Sequence, residues 1–327
     1  MRVCVTLAMS FFVCQISTSC SEEVSGSKAP YSLGSELSFA DTTQVLDQSF
    51  NELPLWREGG VQVDSSALPL NDSSFSWAAG YIWNHPLAGQ PLPWPPPVRD
   101  FPAWTSNGSA DASPNGDMMR RMERKLVPLT WSGTLNFTVQ EMPPELAATV
   151  GDEDPKQYIG ATINSFPFAQ KYGVFAMSAK LPGGKGIWPA FWLLPADKSW
   201  PPEIDVMEVI GREPSTLYTS VHTNIPRKET AYGLGTDTRV DLNADFHEYA
   251  VDWGPEKIDW YFDRKLVYSR PTPPDLHRPC YIVANVAVGK ATGWGGAPDS
   301  STRFPATMHV AYIKVWQRSE YLVPERP

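Results

Sequence analysis

Glu203-Ile204-Asp205-Val206-Met207-Glu208 sets three carboxylates among apolar residues, between Pro201-Pro202 and Gly211. Its spacing decides between helix and strand. On a helix, five steps would leave Glu203 and Glu208 about 140° apart. Pro202 and the β-branched Ile204 and Val206 favour a strand instead. On a regular strand Glu203 and Asp205 share a face and Glu208 points to the other. One extra residue, a bulge at Val206-Met207, brings Glu208 back beside them. Three carboxylates on one face repel, and burying one unpaired is costly, so a merely structural sheet gains nothing from them. The plain alternative is a solvated, charged edge strand.

The flanking segments carry aromatic and polar side chains in the same rhythm. In Gly186–Leu194, alternation puts Trp188, Ala190 and Trp192 on one face. Flat indoles on an exposed strand suit the apolar faces of sugar rings, although core packing also uses tryptophan. Downstream, Tyr218, Ser220 and His222 share a face. His222 could bond a carboxylate or a sugar hydroxyl, or be structural. Asn285, in line with Val283 and Ala287, is polar in an apolar strand and needs a partner, either sugar or backbone.

Further out, Gly133–Val139, Ile159–Ser165, Gly173–Leu181, Ile187–Leu194, Ile204–Ile210 and Leu217–Thr223 read as strands. So do His247–Trp253, Ile258–Phe262, Lys265–Tyr268, Tyr281–Val288 and Met308–Trp316, at intervals of about ten to fifteen residues with no long helical period. Asp263-Arg264 reads as the turn of a tight hairpin. Many strands without intervening helices predict an all-β fold, an antiparallel sandwich of two sheets.

Composition agrees: 13 Trp, 12 Tyr and 14 Phe stand beside 32 Pro, with only 19% charged residues. That mixture suits strands, turns and flat contact surfaces. A net charge of −9 disfavours nucleic acid or an anionic membrane as partner. Arg2, the apolar stretch Val3–Ile16 and the small residues Ser17–Cys20 read as a signal peptide over 1–20, which predicts export. Cys20 is also a candidate lipid anchor, although Ser17 stands where a leucine usually precedes such a cysteine. Once the leader is removed Cys280 is the one remaining cysteine, expected to be a buried small hydrophobe. No later apolar run is long enough to span a bilayer. Residues 21–35 read as a flexible linker, 36–318 as one sandwich domain and 319–327 as a tail. The proline-rich 60–125 reads as a loop-rich insertion. Asn136-Phe137-Thr138 matches the glycosylation pattern, as do Asn71-Asp72-Ser73 and Asn107-Gly108-Ser109.

The hexamer EIDVME resembles the signature of glycoside hydrolase family 16, in the bulged form of its laminarinase-like members. Lys171–Pro195, Asp245–Val267, Tyr281–Gly289 and Phe304–Gln317 resemble the family in the same order, so the likeness covers about residues 130–317. It implies a concanavalin A-like jelly roll whose concave sheet cleaves β-glycans internally with retention. By that resemblance Glu203 is the nucleophile, Glu208 the general acid/base and Asp205 the assisting carboxylate. Trp188, Trp192 and His222 stand at sugar-binding positions, and Trp294, in Gly293–Gly296, could cap one end of the cleft. Many relatives place an acidic calcium ligand where this chain has Ala311, so no metal is expected, and no cofactor.

Retention requires the two carboxyl groups about 5–5.5 Å apart, whereas four strand steps separate their Cα atoms by about 13 Å. The two Glu side chains must therefore lean together above the shorter Asp205. The expected activity is endo-hydrolysis of β-1,3- or β-1,3-1,4-glucan by a monomer. The open alternatives are a galactan or exopolysaccharide depolymerase, a transglycosylase, and a non-catalytic β-glycan-binding protein.

Overall fold

The computed structural model describes residues 34–49, 133–142, 144, 158–165, 168–226 and 230–321, together with the backbone of short strands between residues 29 and 131. In chain order its strands begin with β1 (Ala29–Pro30), β2 (Thr42–Ser49), β3 (Leu55–Arg57), β4 (Gly60–Gln62), β5 (Ser76–Ala79), β6 (Met119–Arg121) and β7 (Leu129–Trp131). Next come β8 (Leu135–Glu141), β9 (Tyr158–Gly160), β10 (Thr162–Asn164), β11 (Gly173–Lys180), β12 (Ile187–Pro195), β13 (Glu203–Glu208) and β14 (Thr216–Thr223). The last are β15 (Thr230–Asp237), β16 (His247–Trp253), β17 (Lys257–Phe262), β18 (Lys265–Pro271), β19 (Cys280–Val288) and β20 (Ala306–Arg318).

They form two sheets. The first runs β1-β15-β14-β13-β12-β19-β10-β5-β4-β3, and the second β18-β17-β16-β11-β20-β8-β9-β6, with β2 also on β20 and β7 on β8. Among the described pairs only β1–β15 and β6–β9 are parallel. The fold is the expected antiparallel β-sandwich of jelly-roll type.

Alternation builds the core between the sheets. Phe191 and Leu193 of β12, Leu217 and Val221 of β14, and Ile282, Ala284 and Val286 of β19 face inward from the first sheet. Phe175 and Met177 of β11, Val251 of β16 and Trp260 of β17 meet them from the second. Each fully buried side chain of this size contributes about 1.5–3 kcal/mol. β11 is buried on its other face too, where Val174 and Ala176 pack with Leu37, Ala250 and Tyr261. The hairpin turn is as read: Asp263 and Arg264 have φ of 45° and 65°, the mirror-type geometry that matches strand twist. Cys280 lies buried with a free thiol whose pKa burial pushes up.

Three differences have simple causes. β15 was not legible as a strand, because Thr230–Asp237 carries Gly233 and Gly235 and lacks clear alternation. The stretch 60–125 lies mostly outside the described residues, yet proline-free pieces of it, β4, β5 and β6, pair into the sheets. Residues of the expected linker are likewise engaged: Ala29 and Pro30 pair with β15, and the Ser35 carbonyl accepts from the Leu266 N–H. The leader and the glycosylation patterns at Asn71 and Asn107 lie outside the described residues. Asn136 is buried, its Oδ1 accepting from Thr134 and bonded to His309 Nδ1.

Candidate active site

β13 carries the expected bulge. Against β14, Asp205 pairs with Ser220 and Glu208 with Tyr218, so three steps on one strand match two on the other. Against β12 the register slips in the same place, between Phe191–Met207 and Trp192–Asp205. Ile204, Val206 and Met207 all enter the core. Two consecutive inward residues shift the phase by one, which returns Glu208 to the face of Glu203 and Asp205. The cross-strand partners confirm the face, since Tyr218, Ser220 and His222 alternate with core residues Leu217 and Val221.

Each carboxylate has its own donors. Trp200 Nε1 donates to Glu203 Oε2 at 2.6 Å, and Trp188 Nε1 to Glu208 Oε1 at 2.9 Å. Asp205 is buried; the Ser220 hydroxyl donates to its Oδ2, and His222 Nε2 lies 3.1 Å from the same atom. Their protonation diverges accordingly. Burial raises the pKa of Glu203 well above the ordinary range. The charge of Asp205 and a hydrogen bond shared with it push the same way, as does Glu208, against the Trp200 N–H. Burial and the Asp205 charge raise Glu208 well above its range too, against the Trp188 N–H. Burial also opposes ionisation of Asp205, but hydrogen bonding and charge from His222, with bonds from Glu203 and Ser220, outweigh it and hold its pKa low. The acid with the lowered pKa thus lies between two whose pKa values are raised.

The aromatic residues line the same face. Trp188 and Trp192 are half-buried, with Ala190 between them nearly covered. Trp294 is 43% exposed and stands edge-on to Trp188 (5.4 Å between centroids) and to Tyr218 (4.7 Å). Arg212 Nη1 ties its loop down by donating to the Gly295 and Trp294 carbonyls at 2.8 and 3.3 Å. The Tyr218 ring lies so close over β15 that a Cβ on Gly235 would meet its Cε1 at 2.9 Å. His222 is bonded to Asp205 and so belongs to the acid cluster. Asn285 lies beside this face. It has a side-chain partner as well: it is 4% exposed, and its Oδ1 accepts from Trp192 Nε1 at 2.8 Å. In the β12–β19 ladder Asn285 faces Ala190, which sets it diagonal to Trp192, within reach of a long side chain.

Trp200 and Ser220 belong to the cluster and were not singled out from sequence as its donors. The position of Ser220 opposite Asp205 follows once the bulge is placed. Trp200 could be suspected only from its nearness to Glu203, because its reach depends on the path of the preceding loop. Ala311 itself offers no side-chain oxygen to a calcium ion. Among the described residues the acidic and histidine atoms close enough to share an ion are those of Glu203, Asp205 and His222, the cluster already described.

Comparison with known proteins gives a consistent result. The family model for glycosyl hydrolases family 16 matches residues 122–314. An endo-1,3-1,4-beta-glycanase of Rhizobium meliloti, EglC, is 32% identical over 86% of this chain and 54% of its own length. A second from that organism, ExsH, is 34% identical over 65% of this chain and 46% of its own. The chain therefore spans about half the length of these curated relatives. The catalytic domain of an endo-1,3-beta-glucanase (laminarinase) from Thermotoga petrophila superposes with a TM-score of 0.61 at 25% identity, covering 85% of this chain and 99% of that one.

Proposed function

The chain belongs to glycosyl hydrolase family 16, and from that premise we propose that it is an exported, endo-acting, retaining hydrolase of β-1,3- or β-1,3-1,4-glucan. The observation that carries the reading is the bulge in β13, which turns Glu203, Asp205 and Glu208 to one face beside three indoles. The names of the two Rhizobium meliloti glycanases support the 1,3-1,4-β linkage, and that of the Thermotoga petrophila laminarinase supports glucan. The leader supports export, and among the described residues no helix is long and apolar enough to cross a membrane.

In this reading Glu203 is the nucleophile. With Asp205 ionised, loss of the Glu203 proton leaves Glu203 charged and Glu208 protonated, the state the reaction needs. The Trp200 N–H favours that charge. A Glu203 oxygen bonds to the anomeric carbon as the glycosidic bond breaks, and the Glu208 proton passes to the leaving oxygen. Ionised Glu208 then takes a proton from water, whose oxygen bonds to the same carbon and displaces Glu203. Trp188, Trp192 and Trp294 offer ring faces to the sugars, and Asn285 fixes the Trp192 indole. The chain acts as a monomer on polysaccharide, without nucleic acid as a partner.

The test is a reducing-end assay on laminarin, mixed-linkage glucan, agarose and bacterial exopolysaccharides, with the Glu203→Gln protein as blank. Release from the two glucans, falling to the blank level in the variant, is expected. Release from agarose or exopolysaccharide alone would overturn the substrate class. Sugar binding without any release would make the chain a glycan-binding protein.

A further inference from the structure

We propose that Trp260 is a positioning residue for this reaction: from the opposite sheet, its indole N–H holds the bulge that gathers the acids. Trp260 lies on β17, fully buried, with Ile258 and Phe262 beside it in the core. Its Nε1 crosses the sandwich and donates to the main-chain carbonyl of Asp205 at 2.9 Å. In a regular antiparallel ladder such carbonyls point along the sheet toward neighbouring strands, out of reach of a donor on another sheet. At Asp205 the register slips against both neighbours, which frees the carbonyl to turn inward. A buried carbonyl so turned requires a donor, and Trp260 supplies it. Its own ring is set by Tyr268, 5.2 Å away between centroids at 34°.

The consequence lies in the direction of the side chains. Asp205 stands between Glu203 and Glu208, and its peptide sets how the strand turns through Val206 and Met207. Without the N–H, the bulge can relax and displace the two carboxyls relative to each other. A displacement of about 1 Å from a distant change costs up to about a hundredfold in rate.

The molecule supplies its own control. Trp253 on β16 is also fully buried in the same core, but its Nε1 has no acceptor among the described residues. Trp260→Phe and Trp253→Phe therefore remove the same atoms, and only the first removes a hydrogen bond to the acid strand. The inference rests on the hydrolase reading above, so it is tested in two ways. On laminarin, Trp260→Phe is expected to lower kcat about ten- to a hundredfold with KM changed less than about twofold, and Trp253→Phe to leave kcat within about twofold. Carboxyl 13C titration reads the geometry without turnover: the Glu203 and Glu208 midpoints are expected to move in Trp260→Phe and not in Trp253→Phe. If Trp260→Phe fails to fold, 3-benzothienylalanine at position 260 takes its place, keeping the ring and replacing the N–H with sulfur. Equal effects of the two variants, or unmoved midpoints at position 260, would overturn the proposal. A parent protein inactive on every glucan would instead sink the hydrolase reading, and the titration would still decide the role of Trp260.

Discussion

Trp188 donates its indole N–H to Glu208 Oε1 at 2.9 Å from the adjacent strand β12. The bond opposes burial and the Asp205 charge, both of which hold the proton on Glu208. The indole proposed to touch sugar thus also tunes the acid that would protonate the leaving group.

Trp188→Phe keeps a flat ring and deletes that bond. The Glu208 pKa then rises further, because the charged form loses a donor. The alkaline limb of the kcat/KM profile on glucan, which reports loss of the acid's proton, should move to higher pH. A limb that stays in place or moves down would separate Trp188 from the acid.

Glu208→Gln should abolish turnover and stabilise the fold. The folded-state pKa of Glu208 is raised, so the native protein resists an ionisation that the unfolded chain undergoes near pH 4.3, a rough reference value. Stability is therefore full below that pH and declines as pH rises through the folded pKa. Glutamine carries no such penalty. Urea melts at neutral pH should show the variant more stable than the parent, and the difference should vanish in acid.

Asn285→Ala removes the acceptor that orients the half-buried Trp192 indole. It should cost about 1–3 kcal/mol in urea unfolding. On glucan, KM should rise more than kcat falls, since Trp192 would bind sugar without touching the reacting atoms. A fall in kcat alone would argue against a binding role.

The bulge could be read from sequence because the five steps from Glu203 to Glu208 conflict with a period of two, and function needs them on one face. β16 could be read because HEYAVDW alternates cleanly. β15 could not, since glycine carries no hydrophobic pattern. The indole donors were only partly legible. Trp188 announced itself by its strand, while Trp200 depends on a loop path and Asn285 on a cross-strand register that local sequence does not encode. Trp260 read as part of a hairpin; its reach across the sandwich belongs to the packing of two sheets.

Peptide mass spectrometry after incubation with 2-deoxy-2-fluoro-laminaribiosyl fluoride would find the nucleophile, because the fluorine slows release of the glycosyl-enzyme. One added disaccharide mass should appear on the peptide holding Glu203, as an ester, and disappear in Glu203→Gln. A label on Glu208 or on a peptide outside β13, or one undiminished in Glu203→Gln, would show that the bulged strand does not supply its first acid as the attacking group.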